Sequence, residues 1–296
     1  MFYFQNLINM SNIKILITGA NGQLGKEFLN YKNKIGQFYF TDIKELDVSD
    51  KSKIISFVRK NKITHIINCA AYTNVDQAEN NKNLAIEIND RAVNNLVSVC
   101  EIYNIKLIHF STDYVYCGKD LSPIDELSYV NPKNYYGFSK REGEKHIESS
   151  SSESIVIRTS WLYSSYGKNF VKTIIDKAKN GEIMHIVNDQ FGCPTYAKDI
   201  VEATFSILNS KKKLNKHFKI FNFSNEGYTN WYDFALKILE LKKIKTEIKP
   251  ISSKKYKSIA FRPNFLVTNK SKIKNIFDLK IPTWESSLKK FIQEKK

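Results

Sequence analysis

No stretch of this chain reaches the about 18 consecutive apolar residues that a bilayer-crossing helix needs. Cysteine is scarce: Cys69, Cys100, Cys117 and Cys193 are the only four in 296 residues, and no Cys-x-x-Cys pair exists. That argues against a disulfide framework, and a chain of this length builds a core without one. The apolar opening Met1-Phe2-Tyr3-Phe4 has no basic region before it and no Ala-x-Ala-like site after it, so it does not read as a signal peptide. Met10 stands just before the first clear strand, and residues 1–9 read as an upstream extension. These absences point to a cytoplasmic protein with no membrane partner. Acidic residues are outnumbered, 30 against 46 basic, for a net charge of +16. The lysines are scattered rather than clustered, so no nucleic-acid partner is expected. An anionic small molecule would benefit from the positive field.

What is present is an alternation of β-rich runs and helical spacings. Strands are expected at Ile13–Thr18, Phe38–Phe40, His65–Ala70, Lys106–Phe110, Ser154–Arg158 and Phe218–Phe223. Helices are expected at Gly22–Asn30, Ser52–Lys60 and Leu84–Tyr103, the last with Leu84, Ile88, Ala92, Leu96 and Val99 on one face. Apolar strands between helices predict an α/β fold, a doubly wound parallel sheet covered on both faces. After Arg158 the pattern loosens, and the last about 70 residues read as short elements of a smaller C-terminal substrate-binding lobe. The division expected is 11–160, joined by a returning strand near 218–224, and 161–296.

The first strand ends in Gly19-Ala20-Asn21-Gly22-Gln23-Leu24-Gly25. Glycines at this spacing, between a strand and a helix, let backbone N–H groups approach a pyrophosphate. Asp42, at the end of the second strand, suits the adenosine ribose hydroxyls and favours NADH over NADPH. The neighbouring Lys44 weakens that preference. Asp47 and Val48 would border the adenine, and Ala70, Ala71 and Tyr72 would let the cofactor pass over the strand ends.

Tyr-x-x-x-Lys occurs twice. Tyr129 and Lys133 flank Pro132 in a loop-like stretch, whereas Tyr136 and Lys140 open a helical run and so share one face. A free phenol has a pKa near 10. A nearby ammonium favours the phenolate, so Lys140 is expected to lower the pKa of Tyr136 and make it a proton carrier for ketone reduction. Thr112, at the end of the fourth strand, is placed to polarise the carbonyl. Asp113 is placed to hold a sugar hydroxyl, and Ser111 to face the cofactor.

These motifs together resemble the dTDP-4-dehydrorhamnose reductases, of the extended short-chain dehydrogenase/reductase type. The matching stretches are A-A-Y-T-N-V-D-Q-A-E from Ala70, F-S-T-D-Y-V-Y from Phe110, Y-G-F-S-K from Tyr136 and R-T-S-W-L-Y from Arg158. V-N-D-Q-F-G-C-P-T from Val187, S-N-E-G-Y-T-N-W-Y from Ser224 and R-P from Arg262 continue the match. The resemblance implies a Rossmann-type fold and reduction of the 4-keto group of dTDP-4-dehydro-L-rhamnose by NADPH or NADH. It assigns cofactor contacts to Gly22, Gln23, Leu24, Asp42, Asp47, Val48, Ala70, Ala71, Tyr72, Tyr136 and Lys140. It assigns the sugar to Thr112, Asp113 and Trp161, with Val75 in the same pocket, and Arg262 suits the diphosphate. It also admits Mg2+ and a homodimer, although no local carboxylate cluster marks a metal site. Two departures are Cys117-Gly118 where the family has Asp-Gly, and Asn264-Phe265-Leu266 after Arg-Pro where a Ser is common. Tyr114 after Thr112-Asp113 disfavours a dehydratase, which places an acid pair there. A reductase of another keto-deoxysugar, or a non-catalytic NADP-binding subunit, are the alternatives.

Overall fold

The computed structural model describes residues 13–31, 36–118, 121–210, 212 and 219–294. The upstream extension read at residues 1–9, and Phe218 of the expected sixth strand, lie outside the described residues. Five parallel strands, β1 (Lys14–Thr18), β2 (Gln37–Phe40), β3 (His65–Asn68), β4 (Lys106–Thr112) and β5 (Ser154–Thr159), are joined at one edge by the returning strand Ile220–Asn222. The order from that edge is Ile220–Asn222, β5, β4, β3, β1, β2. The chain therefore reverses direction across the sheet between β1 and β3, where α/β sheets open a crevice at their carboxyl ends.

Alternation along each strand sends residues to opposite faces. Ile15, Ile17, Ile67, Ile108 and Ile157 pack with Leu24, Phe28, Ile200 and Phe205 on one side. Leu16, Ile66, Leu107 and Val156 pack with Ile54, Val58, Val93 and Leu96 on the other. Two buried layers are why the strands are apolar throughout. A second core joins Val171, Ile174, Phe234, Ile238, Trp284 and Leu288. It is built on the helices Phe170–Lys179, Trp231–Lys242 and Trp284–Glu294. The C-terminal part is thus more helical than its loose pattern predicts, because its lysines sit on the solvent faces of amphipathic helices.

The stretch expected as one helix from Leu84 is three pieces: Lys82–Ile86, a π-turn at Glu87–Arg91, and Ala92–Tyr103. A π-turn takes up one extra residue, so the buried stripe upstream shifts by one position. Ala85 and Asn89 face inward, Ile88 is only half-buried, and Leu84 is 49% exposed. Asn89 thereby enters the interior, where it is used.

Candidate active site

Helix Tyr135–Ser149 begins where Asn134 accepts a hydrogen bond from Gly137 N at 2.8 Å, an N-cap that also donates Nδ2 to the Phe261 carbonyl at 2.9 Å. Its first turn lies against the end of β4. A Cβ on Gly137 would sit 2.3 Å from the Tyr114 carbonyl oxygen, so only glycine permits this approach. Tyr136 packs edge-on against the Tyr114 ring, with centroids 6.1 Å apart. Its phenol reaches the Thr112 hydroxyl. Thr112 Oγ1 donates to Asp113 Oδ1 at 3.1 Å. Asp113 is 2% exposed, and its Oδ2 has no hydrogen-bond partner among the described residues. Burial pushes the Asp113 carboxyl up to about 7. Tyr129 and Lys133 are exposed and share no helix.

Lys140 is 1% exposed. Its Nζ donates to the Phe110 carbonyl at 2.7 Å and lies 3.1 Å from His109 Nε2. Burial pushes this amine down to about 8. Tyr136 departs from expectation. Burial pushes its phenol up to about 12, against the lowering by Thr112. The bonds that Lys140 Nζ makes are to the β4 backbone and toward His109.

The glycine turn follows β1. Gly19 adopts φ 62°, and a Cβ there would fall 2.5 Å from Ala70 N. Among the described residues, a Cβ on Gly22 would meet only the Gly19 carbonyl oxygen beyond its chain neighbours, at 3.2 Å, and no side chain caps the helix Gln23–Leu29 that follows. Leu24 and Gly25 are buried beneath it. Gln23 Oε1 accepts from Asn169 Nδ2 at 3.0 Å, tying the turn to the N-cap of helix Phe170–Lys179. Both Asp42 oxygens accept backbone N–H groups at 2.8 Å, from Asn21 and Ile43. Asp47 Oδ1 accepts from the Ser49 amide and hydroxyl. Val48 packs against the helix-side core. Ala70 N donates to Asn68 Oδ1 at 3.1 Å, and Ala71 and Tyr72 lie half-buried beyond it. Asn89 bonds both backbone groups of Tyr72 and donates to Ser139 Oγ at 3.0 Å, which joins this loop to the Tyr136 helix. Ser111, on β4, is 4% exposed.

Residues 13–296 match the family described as RmlD substrate binding domain. The chain belongs to that family. The dTDP-4-dehydrorhamnose reductase of Aggregatibacter actinomycetemcomitans is 36% identical over 286 residues, 93% of this chain and 97% of that protein. The spore coat polysaccharide biosynthesis protein SpsK of Bacillus subtilis is 31% identical, over 95% of this chain and 98% of its own length. A crystal structure of the Bacillus anthracis dTDP-4-dehydrorhamnose reductase in complex with NADP has a TM-score of 0.90 at 34% identity, covering 95% of this chain and 99% of that one.

The other positions named from the RmlD resemblance sit apart from the Tyr136 cluster to differing degrees. Arg262 clasps Asp76 through two hydrogen bonds, of 3.0 and 2.8 Å, and reaches Tyr114, which carries it to the edge of the cluster. Val75 precedes Asp76 at the start of helix Val75–Asn80. Trp161 has φ 44°, a strained value for a non-glycine residue. It stacks on Trp231 at 3.4 Å, and Gly192 lies so close that a Cβ there would sit 2.6 Å from the indole. Among the described residues no group of three or more His, Cys, Asp or Glu side chains is placed to hold a metal. Asn68, Asn89, His109 and Glu144 belong to no motif that marks them in the sequence. Their polarity in apolar surroundings was the available signal, as in Ile88-Asn89 and His109-Phe110.

Proposed function

We propose that this chain is an NAD(P)H-dependent reductase that converts the 4-keto group of dTDP-4-dehydro-L-rhamnose to the alcohol of dTDP-L-rhamnose. The observation that carries the reading is the row Tyr136, Thr112, Asp113 at the carboxyl end of β4, ending in a buried carboxylate oxygen with no partner among the described residues. Such an oxygen is costly to leave unpaired, and a sugar hydroxyl satisfies it. Family membership and the NADP-bound relative support the cofactor class.

The nicotinamide, when bound, supplies the hydride. The turn Gly19–Gly25 fits its pyrophosphate, because the approach at Gly22 is open and the helix amides that follow are uncapped. Gln23 and Leu24 flank that turn. Asp42 borders the ribose, Asp47 and Val48 the adenine, and Ala70, Ala71, Tyr72 and Ser111 the path across the strand ends. Tyr136 holds the proton delivered to the carbonyl oxygen, Thr112 turns its hydroxyl from Asp113 to the same oxygen when the keto-sugar is bound, and Lys140, beneath them, contacts the cofactor and sets the charge at the foot of the site. The described residues from 13 to 160, with the returning strand, form the cofactor half. Residues 161–296 mainly hold the sugar nucleotide, with Val75, Trp161 and Arg262 around it.

The test is direct. The chain is incubated with dTDP-4-dehydro-L-rhamnose and each reduced nicotinamide, the loss of reduced cofactor is followed by absorbance, and the product is identified by NMR. Formation of dTDP-L-rhamnose upholds the reading, and a C4 epimer replaces the stereochemical assignment while keeping the reductase. No oxidation of either cofactor refutes it.

A further inference from the structure

We propose that His109 is a positioning residue that governs the proton on Lys140. The inference rests on the role given above to Lys140. A buried file of hydrogen bonds joins the two to the cofactor side of the sheet. Thr18 Oγ1 donates to Asn68 Oδ1 at 2.7 Å. Asn68 Nδ2 lies 2.9 Å from His109 Nδ1, and His109 Nε2 lies 3.1 Å from Lys140 Nζ. Lys140 Nζ then donates to the Phe110 carbonyl. Thr18 and His109 are fully buried, and Asn68 is 2% exposed.

The direction of this file is set at one end. Ala70 N–H can only donate, and it points at Asn68 Oδ1 at 3.1 Å. The Asn68 oxygen therefore faces Ala70 and Thr18, and its NH2 faces His109. His109 Nδ1 must accept, so the neutral ring carries its hydrogen on Nε2. That N–H points at Lys140 Nζ. An amine accepts such a bond, whereas an ammonium has no lone pair to offer. To protonate Lys140, this bond must break or Asn68 must turn over and set its NH2 against Ala70 N–H.

The other groups facing Lys140 do not offset this. Glu144, one turn along the same helix, favours the ammonium, but it is held by Arg158 through bonds of 2.9 and 2.6 Å and by Arg141 at 3.0 Å. Cys69, from the loop after β3, is pushed up by burial and stays a neutral thiol. Burial, and any charge that Lys140 takes up, both oppose a second proton on the ring and keep it neutral. His109 is thus a fixed donor, and its tautomer is tied to the backbone at Ala70.

The decisive measurement is the pH dependence of kcat/KM for dTDP-4-dehydro-L-rhamnose at saturating NADPH, in the wild type and in His109→Gln. A glutamine can turn its amide oxygen toward Nζ, which favours the ammonium. The limb belonging to Lys140 should move to higher pH by about one unit or more. Profiles that superimpose, or a downward shift, overturn the inference. A second measurement needs no variant to fold: 15N NMR of histidine-labelled wild-type protein from neutral to alkaline pH. His109 should hold its hydrogen on Nε2 throughout, and an Nδ1–H tautomer or an imidazolium overturns the inference. Lys140→Met separates the two readings. Retained reduction defeats the role of Lys140 and this inference together. Lost reduction with an unmoved His109→Gln profile defeats the inference alone.

Discussion

Arg158 and Glu144 meet through paired hydrogen bonds, Nε to Oε1 at 2.9 Å and Nη2 to Oε2 at 2.6 Å, with side chains 1% and 0% exposed. Arg158 lies on β5 and Glu144 on the helix that carries Tyr136, so this pair bolts the helix to the sheet. Arg158 Nη1 also donates to Tyr116 Oη at 2.8 Å, which donates to Asn222 on the returning strand. Glu144→Gln leaves a buried guanidinium without its charge partner, and a loss of about 3–5 kcal/mol is expected in urea unfolding. Burial raises the Glu144 carboxyl, but the arginines more than offset that and hold it below its ordinary 4.5. A depressed carboxyl stabilises the fold above its unfolded pKa and ceases to do so as pH falls through its folded value. The acid limb of wild-type stability should therefore flatten in the variant.

Tyr136→Phe should lower kcat by about 10²–10⁴-fold while NADPH binding, read by fluorescence titration, is unchanged. Equal loss in both would make Tyr136 a structural residue.

Asp113 has the opposite linkage to Glu144. Its folded carboxyl is raised from 3.8 to about 7, so the folded chain holds an extra proton across that window. Stability then falls as pH rises from about 4 to about 7. Asp113→Asn should remove this slope from the difference in Tm, measured by calorimetry across that range. It should also raise KM for the keto-sugar.

Gly137→Ala drives a methyl group into the Tyr114 carbonyl. A loss of about 1–3 kcal/mol is expected, together with a fall in kcat as Tyr136 retreats from Thr112. A variant with wild-type kcat would show that the helix shifts without cost.

The elements that could be read along the chain were those with local causes. The glycine turn shows in its spacing, and Tyr136 and Lys140 show their common face by standing four apart. Thr112 shows at the end of an apolar run. The π-turn did not show, because Leu84 and Ile88 fit an unbroken helix as well as Ala85 and Asn89 fit a broken one.

Residue order by itself determined the parallel sheet, the glycine turn and the placing of a phenol and an amine on one helix, because these depend on periods of two and of 3.6 residues. Only the tertiary structure decided what each group touches. Lys140 met His109, 31 positions away, rather than Tyr136. Arg262 met Asp76 across 186 positions. Such partners are chosen by which strands lie side by side and how closely a helix can approach them, and burial then enforces the pairing, since a polar group left without a partner there is too costly to keep.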